Sequence, residues 1–379
     1  MKILFAADMS FNYFSALPTA AEAEKIMEQT ATYFKAADFS MLNLENIFGK
    51  AEEHTPIVKA GPNLISDERF AAFIDKLNPT VVGLANNHSR DFGDSALRYT
   101  IEFMKNKGYQ VIGAGKNIEE AYAPAILEKD GLKAAVIAVN ENEFGIADVD
   151  AAGTAGYNLT RVTKAIFAAK AQGALPVIYF HGGNEYNPFP SPGKVDLYRH
   201  FIDLGARAVI AMHTHCPQGY EFYEGCPIVY SMGNFFFPSK NERPTWKVGY
   251  MTELELTEGD AKLKLIPYTF DFDHHTPMEG AQKEKFMAYI EELNAPIGDP
   301  LKLREYFDSW CMITGLKYAG YLSFGLESEP PQRARLKNSF SCEAHNELIG
   351  NTVKIFFEDR VEAAKSKVAE IERLQNTEF

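Results

Sequence analysis

Lys2-Ile-Leu-Phe-Ala-Ala-Asp8 is the stretch from which the fold can be read. Ile3–Ala7 is an unbroken apolar run that ends on a carboxylate. Such a run fits a short buried strand rather than a half-exposed one, which would alternate polar and apolar residues. It has neither the long apolar region nor the small-residue cleavage site of a secretory leader, so it is read as the first strand of the fold. The same texture recurs at Phe39–Leu44, Val81–Ala85, Gln110–Gly113, Ala134–Val139, Pro176–Phe180 and Ala208–Met212. Between these runs lie amphipathic stretches at Thr19–Lys35, Asp67–Leu77, Asp94–Lys107, Leu159–Gln172 and Lys194–Leu204, several opened by Asp, Ser or Asn and closed by Gly. Strand and helix in alternation predict an α/β architecture with helices covering the sheets.

From Gly219 to Phe272 the texture becomes short strands joined by turn signals such as Tyr223-Glu-Gly-Cys226 and Thr257-Glu-Gly-Asp260, predicting antiparallel hairpins that complete a second sheet. After about Asp273 the pattern is helical, through Glu284–Leu293, Leu303–Met312 and a charged last helix around Glu358–Leu374. The chain is accordingly divided into a large domain over 1–273 and a helical C-terminal extension over 274–379. The closing Glu/Lys/Arg run reads as a solvated helix face.

Composition narrows the partners. At 379 residues, 46% hydrophobic and 23% charged, the chain can bury a sizeable core and is not a disordered polymer. A formal net charge of −13 opposes nucleic-acid binding, and an anionic substrate would need bound cations to meet it. Four cysteines with no Cys-x-x-Cys pair suit a reducing, cytoplasmic setting. No stretch approaches the roughly 18 apolar residues of a membrane span, so a membrane role would need a partner protein.

Polar clusters stand where the strands end, the place where open α/β sheets bind ligands. They are Asp8, then Asn43-Leu-Glu45-Asn46, then Ala85-Asn-Asn87-His88 with Asp91 and Gly93, then His181-Gly-Gly-Asn-Glu185-Tyr186, then His213-Thr-His215. Singly, each has a plain structural use. Asp8 serves equally as a cap, Asn86 and Asn87 as turn formers, His181 as a hydrogen-bonded core histidine. His213 and His215 are harder to explain away, because side chains two apart on an extended segment point the same way. Together, two carboxylates, an Asn and three His make a mixed oxygen and nitrogen set suited to Mn, Fe or Zn. A pair of such ions can polarise a substrate oxygen, lower the pKa of a water and neutralise an anion in an acidic protein.

In order, Asp8, Asn43-Leu-Glu45, Ala85-Asn-Asn-His88 with Asp91 and Gly93, His181-x-Gly-x-Glu185-Tyr186, His213-x-His215 and Tyr230-Ser-Met-Gly-Asn234-Phe resemble the motifs of CapA/PgsA-type capsule (poly-γ-glutamate) biosynthesis proteins. The match runs over roughly residues 1–240, and that family is similar to the calcineurin-like metallophosphoesterases. The resemblance implies a two-sheet α-β-β-α sandwich of metallophosphoesterase type carrying two divalent ions. It implies Asp8, Glu45, Asn87, His181, His213 and His215 as metal ligands, with Glu45 bridging, and His88, oriented by Asp91, as the catalytic histidine that acts as acid or orients the leaving group. Against the broader phosphoesterase pattern, Ser10 stands where a histidine is usual and Glu45 where an aspartate is usual. Within the CapA pattern, Gly182 replaces a tryptophan. Glu185 and Tyr186 are candidates for binding a substrate amine or carboxamide, or equally a helix-start cap with a packed Tyr. Lys59 reaches an anionic substrate or is a surface lysine beside a turn. The implied function is a metal-dependent hydrolase acting on a phosphoester or a glutamyl-type amide of a small molecule, peptide or polyglutamate. Metal-dependent epimerisation of a peptide, and a non-catalytic accessory role in polymer synthesis, are the alternatives. Polymer-synthesis members carry an N-terminal membrane segment, whereas this chain starts at its first strand, which favours a soluble enzyme.

Overall fold

The computed structural model describes residues 1–379. The apolar run at the start becomes the strand Lys2–Met9, whose residues from Ile3 onward are buried. It lies at the middle of an eight-stranded sheet. On one side it pairs in parallel with Phe39–Leu44, and beyond that lie Val81–Gly83 and Gln110–Ile112. On the other it pairs antiparallel with Val248–Leu256, extended by Ala261–Phe270 and His275–Pro277. Asn234–Phe236 joins the distal end of the first strand, setting Asn234 beside Asp8.

A second, six-stranded sheet has Ala174–His181 near its centre, parallel to Leu132–Asn140 on one side and Ala208–Met212 on the other. Its edges are the antiparallel strands Ala125–Lys129 and Tyr220–Tyr223 with Cys226–Val229. The sheets pack face to face: Tyr179 crosses the gap and its hydroxyl donates to the Ala6 carbonyl at 2.5 Å. Close approach there depends on Gly83, where a Cβ would fall 2.9 Å from Met41 Cε and 3.2 Å from the Tyr179 ring. Helices Ala20–Ala36 and Ala71–Leu77 pack together on the outer face of the first sheet, and Leu159–Ala171 and Pro192–Asp203 cover the second. The expected helix-flanked, two-sheet sandwich is therefore what the chain adopts. Local sequence supports it, as in the Thr19–Glu22 capping box that starts the first helix.

Three details differ from the sequence reading. The hairpins of 219–272 do not all build the second sheet. Tyr220–Val229 joins it, while Val248–Leu256 and Ala261–Phe270 extend the first, because their alternate residues pack beside Lys2–Met9. The last charged stretch is two short helices, Val361–Ala364 and Val368–Gln375, and its Ile371 and Leu374 are fully buried rather than solvated. Two helices that the periodicity did not reveal, Pro330–Ser341 and Glu343–Phe357, fold back toward the sandwich. They are tied there by Glu347, which accepts from Ser191 Oγ at 2.5 Å and the Gly193 amide at 2.8 Å, and by Glu343, which accepts from the Asn142 amide at 3.0 Å. No helix is long and apolar enough to cross a membrane.

Candidate metal centre

Register brings the strand-end residues together. Asp8 lies opposite Asn43 and Asn234 in the first sheet, and His181 opposite Met212, one residue before His213, in the second. Since the sheets face each other, the ends of both deliver their polar residues to one rim. Asp8, Glu45, Asn87, His181, His213 and His215 are all buried there.

Among these residues two groups of donor atoms form. In one, Glu45, His181 and His213 bring ligand atoms within 4.8 Å of one another; in the other, Asp8, Glu45 and His215 do the same. Glu45 is common to both. His181 Nδ1 lies 3.2 Å from Asp8 Oδ1, an arrangement that places its proton there and leaves the Nε2 lone pair free. That Nε2 then faces the Asn87 Oδ1 at 3.1 Å and His213 Nδ1 at 2.9 Å. Asn87 is oriented by its own amide group, which donates to Glu143 Oε2 at 2.5 Å. His215 Nδ1 lies 2.7 Å from Asn234 Oδ1, whose amide nitrogen donates to the Trp246 carbonyl, so His215 holds its proton at Nδ1 and offers Nε2.

The decisive feature is Glu45. Both its carboxylate oxygens are buried and have no hydrogen-bond partner, with the nearest histidine nitrogens at 3.7 Å (His181) and 3.9 Å (His88). Burial, with Asp8 and Glu185 nearby, raises its pKa well above the ordinary carboxylate range. A buried carboxylate without donors is strongly disfavoured. Converging lone pairs with few protons among them are what a cation site requires, so Asp8, Glu45, Asn87, His181, His213 and His215 are candidates to hold divalent metal. Burial lowers the pKa of His213 to about 4 and that of His215 in direction, keeping both neutral and able to ligate. For Asp8, burial pushes upward, but the His181 and His215 rings and the Asn43 hydrogen bond outweigh it and hold the group ionised.

The backbone is strained where it presents these rings: His213 has φ +101° and His215 φ +57°, values unusual for residues other than glycine. The loop is held by the His213 amide donating to Asp8 Oδ2 at 2.9 Å and by the Thr214 carbonyl accepting from the Tyr186 amide at 2.7 Å.

Beside the centre, Asp91 Oδ2 lies 2.6 Å from His88 Nδ1, the orienting contact that the motif reading expected. Lys59 is not a surface lysine. It is 7% exposed, and its ammonium donates to Asp91 Oδ1 at 2.6 Å and the Asn87 carbonyl at 3.0 Å, because Asp91 would otherwise be a buried charge with no cation. Asn86 is a scaffold residue, donating to Asn43 Oδ1 and the Leu44 carbonyl and accepting from the His88 amide. Glu185 borders the cleft, whereas Tyr186 does not. The Tyr186 ring stacks on Trp246 at 6.1 Å, with the Arg243 guanidinium 4.4 Å above it.

The cleft in front of the centre has a volume of about 260 Å³. Lys59, Asn87, His88, Glu143 and Glu185 form its sandwich side; Lys317, Tyr318, Tyr321, Arg335, Asn338 and His345 close the other. Glu143 and this whole far wall went unread in the sequence. For Glu143 a signal existed: Asn140-Glu-Asn-Glu143 is one more polar cluster at a strand end. Asn338 donates to Glu143 Oε1 at 3.1 Å, and His345 Nε2 lies 3.7 Å from it. Burial works to raise Glu143, but His345, His213 and Asn338 prevail and bring it down to about 2.

Residues 3–239 match the family model described as "Bacterial capsule synthesis protein PGA_cap". The chain is 26% identical to "Capsule biosynthesis protein CapA" of Bacillus anthracis over 265 residues, 68% of this chain and 64% of that one. It is 27% identical to "PGA biosynthesis protein CapA" of Bacillus subtilis over 224 residues, 57% of each chain. It is also 27% identical, over 56% of its length and 58% of the relative's, to a "Probable polyglutamine synthesis accessory protein" of Mycobacterium tuberculosis. The chain thus spans about three-fifths of the length of the curated relatives it matches. Among solved structures, a 5'-nucleotidase from Candida albicans aligns at TM-score 0.41 and 9% identity, covering 78% of this chain and 57% of that one. A similarity at that level bears on neither substrate nor activity.

Proposed function

Because the chain belongs to the bacterial capsule synthesis protein PGA_cap family, we propose that it is a hydrolase dependent on two divalent ions (Mn, Fe or Zn), acting on a phosphoester or glutamyl-type amide in the metabolism of a capsular poly-γ-glutamate or related polymer. One observation carries the reading: Glu45, shared by both donor groups, is buried with neither oxygen hydrogen-bonded.

When bound, such ions supply Lewis acidity, activation of a water and neutralisation of substrate charge. The chain's own residues supply the rest. Asp91 fixes the His88 ring through Nδ1, so Nε2, on the side facing Glu45, is the nitrogen through which His88 exchanges a proton with a substrate. Burial and the Lys59 ammonium lower the His88 pKa, so the ring is neutral near pH 7. Glu185 meets a substrate amine or amide N–H from the sandwich side of the cleft.

The test is turnover by the purified full chain after chelation and reloading with Mn or Zn, on phosphomonoesters, phosphodiesters and γ-glutamyl oligomers. Hydrolysis that tracks metal content and disappears in Asp8→Ala supports the proposal. An intact but racemised oligomer supports the epimerase alternative. Tight polymer binding with no turnover at full metal loading overturns the hydrolase reading in favour of the accessory role named for the mycobacterial relative.

A further inference from the structure

The far wall of the cleft belongs to residues that the family model does not reach, since the match ends at 239. It is built from the helix Leu316–Gly320, which continues the π-helical turn Cys311–Gly315, from Pro330–Ser341 and from the start of Glu343–Phe357. Its ionic groups are of two kinds. His345 lies against Glu143, and Lys337 donates to the Glu143 carbonyl, so both have partners. Arg335 and Lys317 have none: no carboxylate lies within 4.0 Å of either, although both border the cleft. Arg335 is half-buried, with its guanidinium 5.7 Å from the centre of the Tyr321 ring. A guanidinium held near an aromatic face is restricted in its motion and keeps its N–H donors available for an anion.

We infer that this wall is an oxyanion subsite, in which Arg335 and Lys317 bind a carboxylate or phosphate carried by the substrate away from the bond that is broken. In a chain of net charge −13, an anion meets repulsion on approach. Two cations without partners at one cleft reverse the local sign. Of the two carboxylates lining the cleft, Glu143 is already held by Asn87, Asn338 and His345, and Glu185 makes no ion pair with either cation. The helical wall of the cleft therefore carries two cations that no carboxylate neutralises. At about 260 Å³ it is slightly smaller than the roughly 300–1,000 Å³ of most small-molecule pockets, so it takes a terminal unit of a chain or a small molecule. The placement of the anion rests on the hydrolytic reading, but its binding does not.

The experiment is calorimetric titration of the full chain, kept in chelator so that no metal contributes, with tri-γ-glutamate, inorganic phosphate and a fully amidated glutamyl trimer. One of the two anions should bind and the amidated trimer should not; preference for the trimer over phosphate identifies carboxylate as the ligand, and the reverse identifies phosphate. Arg335→Ala should weaken binding by about tenfold, and Arg335→Lys should restore only part of it, because a lysine cannot bind an oxyanion bidentately. Circular dichroism and unchanged metal uptake on reloading show that the variants are folded. The inference is overturned if neither anion binds the wild type, if the amidated trimer binds as tightly as the charged one, or if Arg335→Ala combined with Lys317→Ala leaves affinity unchanged. A protein that binds the anion but never hydrolyses anything leaves the subsite standing and removes only the hydrolase reading.

Discussion

Replacing Glu45 by glutamine should move the stability of the metal-free and the metal-loaded protein in opposite directions. Without metal, wild-type Glu45 buries two carboxylate oxygens that no donor reaches. An unsatisfied buried polar group costs about 1–3 kcal/mol, more when charged. Glutamine keeps the shape, removes the charge beside Asp8, and presents an N–H to the histidine nitrogens at 3.7 and 3.9 Å. Glu45→Gln is therefore expected to stabilise the chelated protein by roughly 2 kcal/mol. With metal the order reverses: at a free ion concentration of 100 times Kd, binding stabilises the wild type by about 2.7 kcal/mol, and the variant, lacking the charge shared by both donor groups, gains little of it. Urea unfolding in chelator and in a titration of Mn or Zn, with metal content measured on the same samples, gives both arms. The reasoning fails if Glu45→Gln is less stable than wild type in chelator, or if it takes up the same number of ions with the same stabilisation.

Other parts of the structure lead to three further outcomes. His275 is buried between Thr30 and the Phe235 carbonyl, and burial lowers its pKa from 6.5 to about 3. The unfolded chain takes up this proton as pH falls through about 6.5 while the folded chain does not, so the stability it confers is complete above that pH and lost toward pH 3; between pH 7.5 and 5 the loss is about 2 kcal/mol and should be missing from the urea midpoints of His275→Gln. Lys59→Met leaves Asp91 buried without its cation and should destabilise by about 3–5 kcal/mol, with a smaller loss when Asp91→Asn is added; equal losses in the single and double variants would contradict the pairing. His88→Gln should lower turnover by about 10²–10⁴-fold at unchanged metal content, and loss of metal instead would make it a ligand rather than a proton carrier.

The sandwich and its rim were legible because their signals are local. A buried strand is a short apolar run, and the residue just past its end is marked by where the run stops, so Asp8, Glu45, Asn87, His181 and His213 were found without knowing which strands pair. The residues that escaped depend on partners far away along the chain. Asn338 and His345 reach Glu143 across about two hundred residues, and nothing in helices 330–341 or 343–357 distinguishes the residues that face the cleft from those that face solvent. Pro330–Ser341 is so polar that its periodicity is nearly flat, with only Ala334, Asn338 and Ser339 buried. The surface reading of Lys59 fails for a related reason: beside Gly61 and Pro62 it looks like a turn lysine, and only the approach of Asp91 makes it a buried cation. The strand Ala125–Lys129 was missed because it sits at an edge and alternates buried with exposed residues, unlike the runs used to find the others.

The fastening of Glu343 and Glu347 to Asn142, Ser191 and Gly193 also has a bearing on how the protein is made. Synthesis runs from the N-terminus, so every residue of the metal centre has left the ribosome before the helices of 330–357 exist. The nascent chain acquires the strand-end rim first and its enclosed cleft last. In the finished molecule these carboxylate fastenings, with the Asn338 and Lys337 contacts to Glu143, are what hold the helical wall against the sandwich.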